Sequence, residues 1–198
     1  MGKTYGRVIA AVALLVSAPL LAQTYGDAYT FLKAVKERDG AKATSMATEP
    51  GSIVVNAKDR SSGEGAIHYV VRDRDHTWLA FLIGKGARVD LQNNRGETPL
   101  ALAAQMGWTE GAQLLLSQRA SVDLPTSRGE TPLILAVQRR DLAMVRLLLS
   151  KGANPKRPDN VTGKSALDYA RQDTRAGAIL KLLEAAPAPA KAVSGPKL

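Results

Sequence analysis

At 198 residues, 45% hydrophobic and 23% charged, the chain is not disordered in bulk and is long enough to bury a working core. Only 5% of it is aromatic and it has no cysteine, which excludes a disulfide framework and thiol chemistry and leaves Leu, Ala, Val and Ile to build the interior. The formal charge is +9, yet Lys and Arg alternate with Asp and Glu, as in Arg72-Asp73-Arg74-Asp75, without a basic stripe and stacking aromatics, so no nucleic-acid partner is expected.

Residues 1–22 read as a signal peptide. Lys3 and Arg7 precede the apolar run from Val8 to Val16, Ser17 and Pro19 break it, and the small Ala22 stands before the expected cut. The run falls short of the roughly 20 apolar residues that span a bilayer. No stable membrane insertion is therefore expected after cleavage, and the mature chain, at +7 once Lys3 and Arg7 are removed, is expected to be periplasmic or secreted. Residues 23–59 follow as a degenerate N-terminal cap, helical in pattern from Thr30 to Arg38 and interrupted at Glu49-Pro50-Gly51-Ser52.

Beyond residue 60 the chain repeats itself. Asn94-Arg95-Gly96-Glu97-Thr98-Pro99-Leu100 returns 33 residues later as Ser127-Arg128-Gly129-Glu130-Thr131-Pro132-Leu133. Gly63-Glu64-Gly65-Ala66-Ile67 aligns one interval earlier, and Gly163-Lys164-Ser165-Ala166-Leu167 one later with an inserted residue. A second element repeats in step, as Phe81-Leu82-Ile83-Gly84-Lys85-Gly86-Ala87, Leu114-Leu115-Leu116-Ser117-Gln118-Arg119-Ala120 and Leu147-Leu148-Leu149-Ser150-Lys151-Gly152-Ala153. Each unit thus reads as two antiparallel helices. Thr98 and Thr131 are placed to cap the first helix, with Pro99 and Pro132 where a missing N–H costs nothing. Gly86 and Gly152 end the second helix in a left-handed turn; Arg119, in their place, should cost on the order of 1 kcal/mol.

These residues, Gly-x-Thr-Pro-Leu followed by Ala-Ala and then Leu-Leu-Leu-x-x-Gly-Ala, resemble the ankyrin-repeat family. The resemblance implies an all-α solenoid of stacked helix-turn-helix units joined by β-hairpin-like loops, with units at 60–92, 93–125, 126–158 and 159–186. Residues 187–198, opening on alternating Pro and Ala, read as a flexible tail.

No catalytic constellation stands out. His68 and His76 are eight residues apart, outside the i, i+4 spacing of a helical metal site, and His68 sits where units of the resembled family place a histidine that bonds neighbouring backbone. No nucleophile elbow or phosphate-binding loop is present, and neither a metal nor another cofactor is expected. Asp90, Asp123 and Asp159 read as turn residues satisfying local backbone. Trp78 reads as core. Trp108, beside Gly107 at the turn between helices, reads as incompletely buried and a candidate interface anchor.

A stack of such units offers an extended concave surface made of loop tips and first helices. By matching position, the exposed candidates for partner binding are Ser61, Ser62, Glu64, Arg72 and Asp73 in the first unit. In the second they are Asn94, Arg95, Glu97, Gln105 and Met106, and in the third Ser127, Arg128, Glu130, Gln138 and Arg139. The expected function is a monomeric, non-enzymatic protein that binds a protein partner as an adaptor, inhibitor or protective protein of the periplasm. The resemblance extends to exported bacterial ankyrin-like proteins that support periplasmic enzymes such as catalases. The alternatives are a secreted effector engaging a host protein and, further off, a hydrolase using surface carboxylates.

Overall fold

The computed structural model describes residues 17–49 and 52–186, and among them finds ten α-helices and no strand. Most of the expected signal peptide and all of the expected tail lie outside the described residues. Helix α1 (Ser17–Lys36) and α2 (Gly40–Thr48) form an N-terminal pair, followed by a short 3-10 turn, Val54–Asn56. Four further pairs succeed them: α3 (Ala66–Arg72) with α4 (His76–Gly84), α5 (Pro99–Met106) with α6 (Thr109–Ser117), α7 (Pro132–Gln138) with α8 (Leu142–Ser150), and α9 (Ala166–Gln172) with α10 (Gly177–Ala185).

The pairs stack in chain order. First helices α3, α5, α7 and α9 pack on one another in succession, second helices α4, α6, α8 and α10 do the same, and α1 closes the near end against α3. Helices of seven to nine residues are too short to persist alone in water, so their stability comes from this stacking. Leu100 and Leu133 head α5 and α7 with no exposed surface, and Ala103, Ala104 and Ala136 beside them let neighbouring helices close in. Leu79, Leu82, Leu115, Met144 and Leu148 form the matching inner side of the second layer. The N-terminal pair joins the same core through Phe31, Leu32, Ala34, Val35 and Ala43.

Helix punctuation follows the sequence closely. Thr98 accepts from the Ala101 N–H at 3.1 Å and Thr131 from Ile134 at 3.3 Å, each with proline next in the chain. In the last unit Ser165 takes this role, its hydroxyl and N–H paired with Asp168. In the first unit Gly65 brings no hydroxyl, and His68 stands where Asp168 does, its Nδ1 accepting from the Gly65 N–H at 3.0 Å. Arg119 holds the left-handed turn after α6 with φ of 65°, as Gly86 and Gly152 do after α4 and α8.

The turns within the pairs show a pattern the sequence reading did not extract. Arg38, Arg74 and Arg140 take positive φ, and the Asp39, Asp75 and Asp141 that follow them cap the second helix by accepting from Lys42, Trp78 and Met144 N–H groups. Each arginine then reaches the next pair: Arg38 to Asp73 and Asp75, Arg74 to the Met106 carbonyl, Arg140 to Asp173. In α5–α6 the corresponding residues are Gly107 and Trp108, and no carboxylate caps α6.

Trp108 corrects the sequence expectation. It is 5% exposed, because its ring folds back onto Gly111, the one place on α6 with no side chain to obstruct it. A residue adjacent to a turn is here a core residue, and it offers no anchor to a partner.

Candidate functional site

Four loop tips and the first helices beneath them make the candidate surface. Each tip is a tight loop closed by a main-chain bond: Asp59 N–H to the Glu64 carbonyl, Asn93 to Glu97, Thr126 to Glu130 and Asp159 to Lys164. The first and last tips carry one more residue than the middle two. The sequence comparison placed an insertion in the last unit alone, because aligning Gly63 with Gly96 hides the extra residue ahead of Gly63. Successive tips are tied edge to edge, with Asn94 N–H donating to the Ser62 carbonyl at 3.0 Å, Ser127 to Arg95 at 2.9 Å and Asn160 to Arg128 at 2.8 Å. This close approach requires glycine at the tip: Gly96 has φ of +70°, and a Cβ there would lie 2.5 Å from the Ser127 nitrogen.

Aspartate stabilises the two end tips. Asp59 accepts from Ser61 and Ser62, and Asp159 from the Val161, Thr162 and Gly163 N–H groups and the Tyr169 hydroxyl at 2.6 Å. Burial opposes ionisation of Asp159, but the Tyr169 hydroxyl and these backbone donors outweigh it and hold its carboxyl well below the usual carboxylate range. Asp159 is therefore the local turn residue the sequence suggested. Asp90 and Asp123 are not: Asp90 accepts from the Ser121 N–H at 2.9 Å and Asp123 from the Asn154 N–H at 3.1 Å, each in the following unit. They bind units together, a role invisible from within one unit.

Of the candidate residues, Ser61, Arg72, Asp73, Asn94, Arg95, Gln105, Ser127, Arg128, Gln138 and Arg139 are exposed. Ser62, Glu97, Met106 and Glu130 are half-buried. Glu64 is buried at 7% exposure, contrary to expectation, because Arg72 from the far end of α3 folds over its carboxylate. Arg72 also lies 4.0 Å from Glu97, so one guanidinium spans two units. Glu97 is further held by Asn93 at 2.7 Å and Arg95 at 2.8 Å. Burial opposes its ionisation, and the bonds from Arg95 and Asn93 prevail and lower its pKa. Arg128 approaches Glu130 at 3.5 Å in the same way. The glutamates thus form a recessed layer, and Arg95 and Arg128 stand above it with about two thirds of their side-chain surface in solvent.

His68 is fully buried and holds two units together. Its Nε2 lies 3.1 Å from the Glu97 carbonyl while Nδ1 accepts from Gly65, an arrangement that requires the neutral ring protonated at Nε2. Burial pushes its pKa below the ordinary histidine value.

Two clefts succeed one another along this face. One of about 280 Å³ lies between the second and third units and is lined by Asn94, Arg95, Glu97, Gln105, Thr126, Ser127, Arg128, Glu130 and Leu135. The next, about 290 Å³, lies between the third and fourth and is lined by Val137, Gln138, Tyr169, Gln172 and Asp173. The structure thus gathers Asn94, Arg95, Glu97, Gln105, Ser127, Arg128 and Glu130 at one cleft; Ser61 and Asp73 are not part of its lining, although the Asn94 side-chain amide donates to the Ser61 carbonyl at 3.0 Å. Tyr169, Gln172 and Thr126 were missed by sequence reading, although the first two could have been found by carrying positions 135 and 138 forward through the inserted residue. Among the described residues no group of three or more His, Asp or Glu is gathered as metal ligands would be.

Comparison with known proteins agrees with this geometry. No curated protein matches the chain. The family described as Ankyrin repeats (3 copies) matches residues 33–126, 67–159 and 118–190. Those matches overlap and span the stacked pairs from the end of α1 to beyond α10, and the chain belongs to the ankyrin-repeat family.

Proposed function

We propose that this protein is an exported binding module that holds a protein partner on its concave face, acting as an adaptor, inhibitor or protective partner in the periplasm. Ankyrin repeats generally mediate protein–protein interaction and are typically non-enzymatic. The reading of export rests on the layout of residues 1–22, a basic start, a short apolar run and a small residue at the expected cut.

The observation that carries the binding reading is the pair of consecutive clefts, with polar groups that the fold does not consume. The Gln105 side chain is exposed and has no partner among the described residues, and Arg95 and Arg128 each keep about two thirds of their side-chain surface in solvent above a glutamate. Such donors in a recessed, mixed-charge surface suit a polar protein surface better than a flat apolar one.

The test is affinity capture from an envelope fraction with wild-type protein and two double variants. Gln105→Arg/Gln138→Arg fills both clefts from exposed positions, and Gln113→Arg/Arg146→Glu alters the outer helices. A partner captured by wild type and by the outer-helix variant, and lost with the cleft variant, is the expected result. Equal capture by all three would refute the concave-face assignment. Fractionation of the tagged chain tests export: recovery in the periplasm is expected, recovery in the medium favours the secreted-effector alternative, and retention in the cytoplasm defeats both.

A further inference from the structure

Positive charge is unevenly matched across the molecule. At the concave face and the turns within pairs, most arginines have carboxylate partners: Arg72 with Glu64, Arg95 with Glu97, Arg128 with Glu130, Arg38 with Asp73 and Asp75, Arg140 with Asp173; Arg74 meets the Met106 carbonyl instead, and Arg139 has no ion pair among the described residues. The loops leaving the second helices differ. Arg88, Arg119, Lys151 and Lys156 are exposed there, and their side chains have no hydrogen-bond or ion-pair partner among the described residues. Lys85 lies over the Phe81 ring at 5.9 Å, and Arg157 donates to the Asp123 carbonyl at 3.0 Å with the Asp123 carboxylate nearby but in no ion pair with it.

These six cations share one edge. The second helices α4, α6 and α8 stack side by side, and Asp90 and Asp123, the carboxylates of the same loops, bond the loop of the next unit. Favourable interaction with a helix C-terminus accounts for Lys85 and Lys151 at the C-caps of α4 and α8. It does not account for Arg88, Lys156 and Arg157, which lie beyond the last turn.

A second feature stands at the end of the row. Ile53 is 73% exposed, and it begins the turn whose Asn56 accepts from the Arg88 N–H at 2.7 Å and donates to the Gly86 carbonyl at 3.0 Å. An exposed aliphatic side chain is thereby fixed to the cationic edge.

We infer that this edge docks on the surface of an anionic lipid bilayer, the lysines and arginines meeting headgroup phosphates and Ile53 entering the interfacial layer. The cations recur along the stack by about one helix spacing per unit, roughly 8–10 Å, close enough together to meet one bilayer surface. An isoleucine beside cations has a use at a lipid interface and none against a phosphodiester backbone, and no aromatic side chain stands exposed in these loops to stack on a base. No helix among the described residues is long and apolar enough to cross a membrane, so this attachment is peripheral. It uses a different edge from the concave face and does not depend on the partner proposed above.

The full chain is tested by co-sedimentation with vesicles of phosphatidylcholine alone or with about a third phosphatidylglycerol. Each cation near an anionic leaflet strengthens attachment about fivefold. Arg88→Gln/Arg119→Gln/Lys151→Gln/Lys156→Gln should therefore weaken the phosphatidylglycerol-dependent binding at least about tenfold. Lys36→Gln/Lys42→Gln/Arg146→Gln/Lys181→Gln, with the same net charge, should weaken it less than threefold. Ile53→Ser should weaken it severalfold without changing its salt dependence. An equal fall in both quadruple variants would show that net charge alone acts and would overturn the proposal. So would binding that ignores phosphatidylglycerol, or a DNA duplex that binds the same edge in preference to the vesicles.

Discussion

The Trp108–Gly111 contact predicts a substitution whose effect changes sign with its neighbour. An alanine Cβ at position 111 would lie 2.1 Å from Trp108 Cε3 and 2.2 Å from Cζ3, against an ordinary carbon–carbon contact of about 3.5–4.0 Å. The ring must retreat by more than 1 Å from a site where it is 5% exposed, and such overpacking costs about 1–3 kcal/mol. Against this, exchanging glycine for alanine within a helix stabilises by at most about 1 kcal/mol, and by less in the first turn where Gly111 lies. Gly111→Ala should therefore destabilise by about 1–2 kcal/mol, read as a lower midpoint in urea unfolding followed by circular dichroism. In a Trp108→Ala background, itself destabilised, the obstruction is gone and the same change should raise the midpoint. If Gly111→Ala is harmful by the same amount in both backgrounds, the ring is not what glycine accommodates.

Other consequences are open to the same assay. Arg119 sits at φ of 65°, where a side chain is strained, so Arg119→Gly should stabilise by up to about 1 kcal/mol; a fall in stability would refute the strain. His68 is neutral in the folded chain and its pKa is depressed by burial, so its contribution is intact above the ordinary histidine pKa of 6.5 and is lost as pH falls below that value towards the folded pKa. The wild type should therefore lose stability between pH 7 and 5 more steeply than His68→Asn, and equal slopes would count against the buried neutral ring. Asp159→Asn removes a charged acceptor from several donors and should cost about 2 kcal/mol at pH 7. Because the Asp159 pKa is depressed, that difference should persist through neutral pH and shrink in acid as the wild-type carboxyl is protonated.

The recurring elements of this fold were legible because they are local. Thr98-Pro99 and Thr131-Pro132 encode a helix start within three residues, and Gly86 and Gly152 a helix end within two, so the pattern delivered the four repeated pairs and the helix from Thr30, but not α2. Contacts between units were not legible. Glu64 looked exposed because nothing in the linear pattern says that Arg72, eight residues away, returns over it, and Trp108 looked free because its cover depends on the missing side chain of Gly111. Asp90 and Asp123 resemble turn formers in isolation, and only the stacked geometry shows that their acceptors serve the next loop. Periodicity placed the candidate residues on tips and first helices and gave the mix of charges there, whereas the recess of the glutamates beneath the arginines depends on contacts that periodicity leaves out.

The main-chain bonds joining the tips all point the same way, from the amide of a later tip to the carbonyl of the one before. Removing or duplicating an interior stretch of 33 residues would leave that pattern whole, with every donor still finding an acceptor upstream. A gene encoding this chain can thus lengthen or shorten by whole modules without inventing a new junction. The two tips that carry aspartate, Asp59 and Asp159, satisfy more of their own backbone and so suit the places where such growth must stop.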